Sequence, residues 1–185
     1  MRSSKLFLKT SLIGILLASS LAMAWSGSKI DREAAEALVV FKEEVNGAEM
    51  FLNQAAGYLV FPRVIKVGLG FGAETGEGAL IVGGRTVDYY RTTAGSFGLQ
   101  MGAQAKSIVI AFMTQDALQK FRDSSGWKAG VDGSVALIDL GVGKTIDTDN
   151  LKDPVVGFIF GSKGLMYNLT LEGSKFTKLD KSEAE

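Results

Sequence analysis

Between residues 66 and 82 the chain reads KVGLGFGAETGEGALIV, which sets five glycines, Gly68, Gly70, Gly72, Gly76 and Gly78, into what is otherwise a strand. From 64 to 73, Ile65, Val67, Leu69, Phe71 and Ala73 alternate with Val64, Lys66, Gly68, Gly70 and Gly72. A period of two predicts a strand with one bulky face and one nearly bare face. Glycine weakens a strand interior, so it is used where another backbone must come close or the sheet must bend sharply. The pattern therefore predicts a strongly curved sheet whose bare face admits a close neighbour, either packed protein or an acyl chain. Glu74-Thr75-Gly76-Glu77 reads as a turn, with Ala79 to Val82 as the returning strand.

Two phosphate-binding motifs are spelled here without their context. Gly68-Leu69-Gly70-Phe71-Gly72-Ala73 matches the loose dinucleotide fingerprint, but that motif needs a helix to start at its end, and more glycines and Ala79-Leu80-Ile81-Val82 follow instead. Gly143-Lys144-Thr145 resembles the end of a P-loop, yet Ile138 stands where the pattern requires its first glycine. Neither supports nucleotide binding. Asp147-Thr148-Asp149 lacks the later ligands of a calcium loop, and Asn168-Leu169-Thr170 spells a glycosylation sequon inside a strand pattern.

The rest of the chain alternates helix and strand signals. Ser28 to Asp31 has the form of a capping box opening a helix to about Val45, with Ile30, Ala34, Ala37, Leu38, Phe41 and Val45 on one stripe. Asn46-Gly47 breaks it, and a shorter helix spans Ala48 to Ala56. Thr114 caps a third, short helix with Ala117, Leu118 and Phe121 on its buried side. Further strands are predicted at 86–91, 97–105, 107–112, 131–140, 155–160, 165–171 and 176–179, with Gly161 to Gly164 and Glu172 to Lys175 as turns. The fold class is α+β: a strongly curved, mainly antiparallel, barrel-like β-sheet with two N-terminal helices and one short mid-chain helix packed against it.

Arg2, Lys5 and Lys9, an apolar run from Leu12 to Leu21 and Ala22-Met23-Ala24 predict a signal peptide over residues 1–24 and one domain over 25–185. With 20 basic and 20 acidic residues in the whole chain, loss of three basic ones gives the mature domain a net charge of 17 − 20 = −3. That offers no bulk attraction to nucleic acid or an anionic membrane. The chain has no cysteine and no histidine, which removes thiol nucleophiles, imidazole bases, the usual zinc sites and an acylated N-terminal cysteine. The expected location is the periplasm.

The blocks AAGYLVFPRVIKVGLGFGAETGEGALIVGG, SFGLQMGAQAKSIVIAFMTQDALQKF, WKAGVDGSVA and GFIFGSKGLMYNLTLEGSKF resemble, in order and spacing, those of the SYLF domain family, from about Ile30 to Leu179. The resemblance implies an α+β module that binds lipid, in eukaryotic members at phosphoinositide membranes through an amphipathic N-terminal segment and in some with actin. Residues 26–45 depart from that pattern, since three cations face five acids for a net of 3 − 5 = −2. Lipid binding carries over as an expectation; phosphoinositides and actin do not.

The reading is a non-catalytic lipid-binding module of the bacterial cell envelope that contacts lipid mainly through apolar surface. The alternative is an envelope structural or adaptor protein that binds a protein partner through the same fold. The candidate contacts are Leu38, Phe41 and Val45 on the helix stripe, Phe71 as a lining residue, and Arg63, Lys66 and Lys163 for headgroups. No catalytic residue, cofactor or metal is expected, and no nucleic acid or nucleotide partner.

Overall fold

The computed structural model describes residues 27, 29–139, 152–164 and 171–180. The leader, the GVGKT stretch, Asp147-Thr148-Asp149 and Asn168 lie outside the described residues. Helix α1 runs over 29–44, and α2 (Ala48–Gln54) follows Gly47, which adopts φ 87°. The strands are β1 (Gly57–Val82), β2 (Arg85–Phe112), β3 (Trp127–Lys128), β4 (Ala136–Asp139), β5 (Val155–Gly164) and β6 (Lys175–Leu179), with helix α3 (Gln115–Asp123) between β2 and β3. All six strands belong to one sheet, antiparallel except where β4 meets β5. The architecture is the expected α+β one.

β1 and β2 form one very long hairpin. Their register runs from Gly57 opposite Phe112 to Val82 opposite Arg85 and closes on Gly83 and Gly84, at φ 58° and 75°, where a two-residue turn needs left-handed backbone. The turn expected at residues 74–77 is therefore absent: Thr75 pairs with Thr93 and Glu77 with Arg91 inside the ladder. The glycines serve close approach instead. A Cβ on Gly76 would stand 2.6 Å from the Arg63 carbonyl oxygen and 2.9 Å from Val64, and one on Gly78 would collide with Val60 and Phe61. A Cβ on Gly68 would meet the Phe71 carbonyl oxygen at 2.8 Å. The second half of β1 thus lies across its own first half, so the hairpin is doubled over near residues 68–72.

The doubling divides the sheet into two arms. On the first, residues 104–112 of β2 pair with β5, and β4 continues the sheet. On the second, Tyr89 to Thr93 pair with β6, and β3 continues it. β2 serves both. Pro62 sits at a β1 bulge, where its missing N–H costs no ladder bond, and the Ser107 hydroxyl donates to its carbonyl at 2.8 Å.

Two apolar clusters hold these layers together. Between the arms lie Leu59, Phe61, Val64, Leu80, Ile108, Ile110, Phe112, Ile159 and Phe176, with Leu118 and Phe121 of α3. Phe121 stands 4.7 Å from Phe112 and 4.8 Å from Tyr90 by ring centroid, and α3 fills the end of this space away from the bend. Thr114 caps α3 as expected, its hydroxyl accepting from the Ala117 N–H at 3.2 Å. On the outer face of the first arm, α1 and α2 cover Val60, Val109, Ala111, Val156, Phe158 and Phe160.

Two further expectations change. Among the described residues, the strand read over 131–140 is present only at Ala136–Asp139, and Val131 lies in a turn, largely exposed. β3, two residues long, is too short to show a period. Gly161 to Gly164 is not a turn: it prolongs β5, with Gly161 at φ 60° beside a register shift between Ala105 and Ser107 of β2. A positive-φ glycine there makes a bulge, and the strand continues through it.

Candidate functional site

The inner face of the doubled hairpin changes character along its length. Beside α3 it carries Ile110, Ile108, Leu59 and Phe61; two steps nearer the bend it carries Lys106, Gln104 and Lys66. Lys66, Glu74, Gln104 and Lys106 are 5%, 7%, 5% and 3% exposed. Lys106 Nζ lies 3.0 Å from Glu74 Oε1, out of line for a hydrogen bond but as close as an ion pair requires. Since Lys106 belongs to the first arm and Glu74 to the second, this pair spans the space between them. Gln104 Oε1 is also buried there without a hydrogen-bond partner, as is the Tyr90 hydroxyl farther along the same space, beside Phe121 of α3. Burial, followed by the charge of Asp88, raises the Tyr90 pKa above its ordinary value.

The outer face of the same segment is apolar. Ile65, Val67 and Phe71 are 40%, 51% and 72% exposed, flanked by exposed Ala73 and Ala103. Polarity is therefore reversed near the bend, with charges and an amide inside and large apolar side chains outside. The glycine parity explains why. The doubled strand can close only over the bare face, so that face becomes the interior and the bulky face is left to the surroundings.

Between α1 and the Pro62–Arg63 bulge of β1 runs a groove of about 450 Å³. Its walls include Lys29, Glu33, Glu36, Val40, Pro62 and Arg63, a balanced set of charges. α1 is pinned beside it by Asp31, which accepts from Thr86 Oγ1 at 2.8 Å and from the Tyr89 hydroxyl at 3.0 Å. The pKa of Tyr89 is pushed up to about 12, by burial first, then by the hydrogen bond to Asp31 and by its charge.

The candidates read from the sequence fall in different places. Phe41 and Val45 are buried core residues, Phe41 standing 5.0 Å from Phe158 and 5.2 Å from Phe160 by ring centroid. Leu38 is half-buried and packs on the same cluster. This stripe faces the sheet. Phe71 is exposed at the bend and Arg63 lines the groove, while Lys66 points to the opposite, inner face. Lys163 takes a strand position opposite Ala105.

Sequence reasoning passed over Ile65 and Val67 as surface and Glu74, Gln104 and Lys106 as interior. The signal was present, because Lys66 and Glu74 share the parity of Gly68 and Gly72. Among the described residues no helix is long and apolar enough to cross a membrane, which leaves strands out of account. A family model described as Las17-binding protein actin regulator, Ysc84, matches residues 93–185. No curated protein matches the chain.

Proposed function

The chain belongs to the SYLF (Ysc84) family, and from that premise we propose that it is a non-catalytic lipid-binding module of the bacterial cell envelope. The leader read in residues 1–24 would deliver it to the periplasm. The observation that carries the reading is the reversed polarity of the bend. Apolar-out and polar-in alternation is what strands show when they face hydrocarbon, whereas strands facing water show the opposite. Ile65, Val67 and Phe71 are the contact surface in this reading. Full burial of an exposed side chain of this size contributes about 1.5–3 kcal/mol; Ile65 and Val67, already half-buried, would gain about half of that and Phe71 most of it, which suits weak, reversible attachment. Arg63 stands beside them as a local partner for a headgroup.

This moves the lipid contact from the α1 stripe to the outer face of the bend. Phe41 and Val45 could reach lipid only if α1 left the sheet and broke the contacts of Asp31. A second reading has its own support, since the family description names a protein partner, Las17. In that reading the same apolar face binds an envelope protein.

Flotation with vesicles of phosphatidylethanolamine and phosphatidylglycerol tests the choice. Wild type should float, with little change up to roughly 0.3 M salt, because apolar contact is not screened. A combined Ile65→Ser, Val67→Ser, Phe71→Ser variant should keep its melting temperature and lose flotation. Binding that disappears with salt, or survives the triple substitution, overturns the apolar mechanism; a wild type that floats with no lipid tested favours the protein-partner reading.

A further inference from the structure

The buried charges at the bend do not balance. Lys66 and Lys106 bring two positive charges against the single carboxylate of Glu74, which is already paired with Lys106 at 3.0 Å. The half-buried carboxylates of the second arm are engaged elsewhere: Glu77 accepts from Arg91, and Asp88 holds both Arg122 and Lys178. Lys66, at 5% exposure, has neither a hydrogen-bond nor an ion-pair partner among the described residues, and its ammonium, unlike that of Lys106, keeps a small opening to solvent. An ammonium confined to so small an opening loses much of its hydration, and a counter-charge entering there would stabilise it.

We propose that the space between the arms at the bend takes a singly charged oxyanion, a phosphodiester or a carboxylate, held by Lys66 and Gln104. Gln104 stands directly opposite Lys66 in the ladder, so their side chains are neighbours on the inner face. Its Oε1 is buried without a partner, and half a turn of the amide offers N–H donors to an anion beside the Lys66 ammonium. Gly102, in register with Gly68, is exposed, and a Cβ there would meet nothing within 4 Å, so the pair borders space open to solvent through which an anion can enter. Lys106 and Glu74 cancel one another, which leaves a charge of +1 and selects a monoanion over a dianion. The proposal rests on the lipid reading only for the source of the anion, a headgroup or a free ion.

Thermal melting of the full chain tests it, with inorganic phosphate, acetate or dihexanoyl phosphatidylglycerol, each against sodium chloride at equal ionic strength. Wild type should show a saturable rise of about 5–10 °C at a hundred times the dissociation constant. Lys66→Met should show no rise and, without anion, melt no lower than wild type; Lys66→Arg should keep the response. If Lys66→Met does not fold, Gln104→Met substitutes for it and should weaken binding by about 10-fold or more. A rise with the lipid alone assigns a headgroup, and a rise with phosphate and acetate as well assigns a free oxyanion; either supports the site. No rise beyond chloride, or an equal rise in Lys66→Met, overturns it. Flotation of Lys66→Met on neutral phosphatidylcholine vesicles separates the two ideas: retained binding leaves the apolar surface standing when the anion site fails.

Discussion

The helix-covered part of the first arm and the bend are built from the same two strands, yet they follow opposite rules. At Leu59, Val60, Ile108 and Val109 both faces are apolar and both are covered, one by the second arm and α3 and the other by α1 and α2. At Lys66, Val67, Ala103 and Gln104 one face is polar and closed while the other is apolar and open. Strand alternation is kept throughout; what differs is which surface finds a protein partner. The first region shows what holds the fold together, and the second shows what it presents to its surroundings.

Matched substitutions break or sharpen that contrast. Phe41→Ala should cost about 3–5 kcal/mol in urea unfolding, since the ring sits among Phe158 and Phe160. Phe71→Ala should change stability by no more than about 0.5 kcal/mol, as expected of an exposed site. Equal costs would mean that the bend is an ordinary core. Within the bend, Lys106→Met strands the Glu74 carboxylate and should cost about 3–5 kcal/mol, comparable to the loss at Phe41. Adding Glu74→Leu should restore most of it. A double variant no better than the single one would show that Glu74 does not depend on Lys106.

The smallest effect concerns α1. Tyr89 has a folded-state pKa of about 12 against an ordinary 10.0, so the stability tied to its neutral hydroxyl is fully present below pH 10. It is lost as pH rises from there through about 12. Tyrosinate absorbance and helix content should change together over that window, and Tyr89→Phe should shift the loss of helix. Helix content unaffected by either would show that Asp31 is not the pin.

Much of the fold was legible because its signals are local. The α1 stripe, the Gly47 break, the Thr114 cap and the last strand each depend on residues close in sequence. Glycine-rich segments were not, because glycine suits a turn, a bulge and a close approach alike; residues 74–77 and 161–164 read as turns for that reason. Only the long-range contacts of Gly76 with Arg63 and Val64 decide between them. The candidate site suffered the same loss. Phe41 and Phe71 look equivalent as apolar residues on a periodic face, and what separates them is that the sheet buries Phe41 while Phe71 stays 72% exposed.

The 28-residue β2 belongs to both arms, and this imposes an order of events on folding. The Gly83-Gly84 turn brings β1 and β2 into register by local closure, a step of the kind that takes about 1–10 μs. Neither arm can be completed at that point, because β5 and β6 come after residue 150. A chain made from its N-terminus must therefore hold a finished hairpin, its glycine face bare and its apolar residues exposed, until the segment beyond residue 150 arrives. That interval is where aggregation competes with folding. A fragment beginning at Thr93, where the family match begins, would meet the converse problem, with most of β2 and no β1 to pair with it.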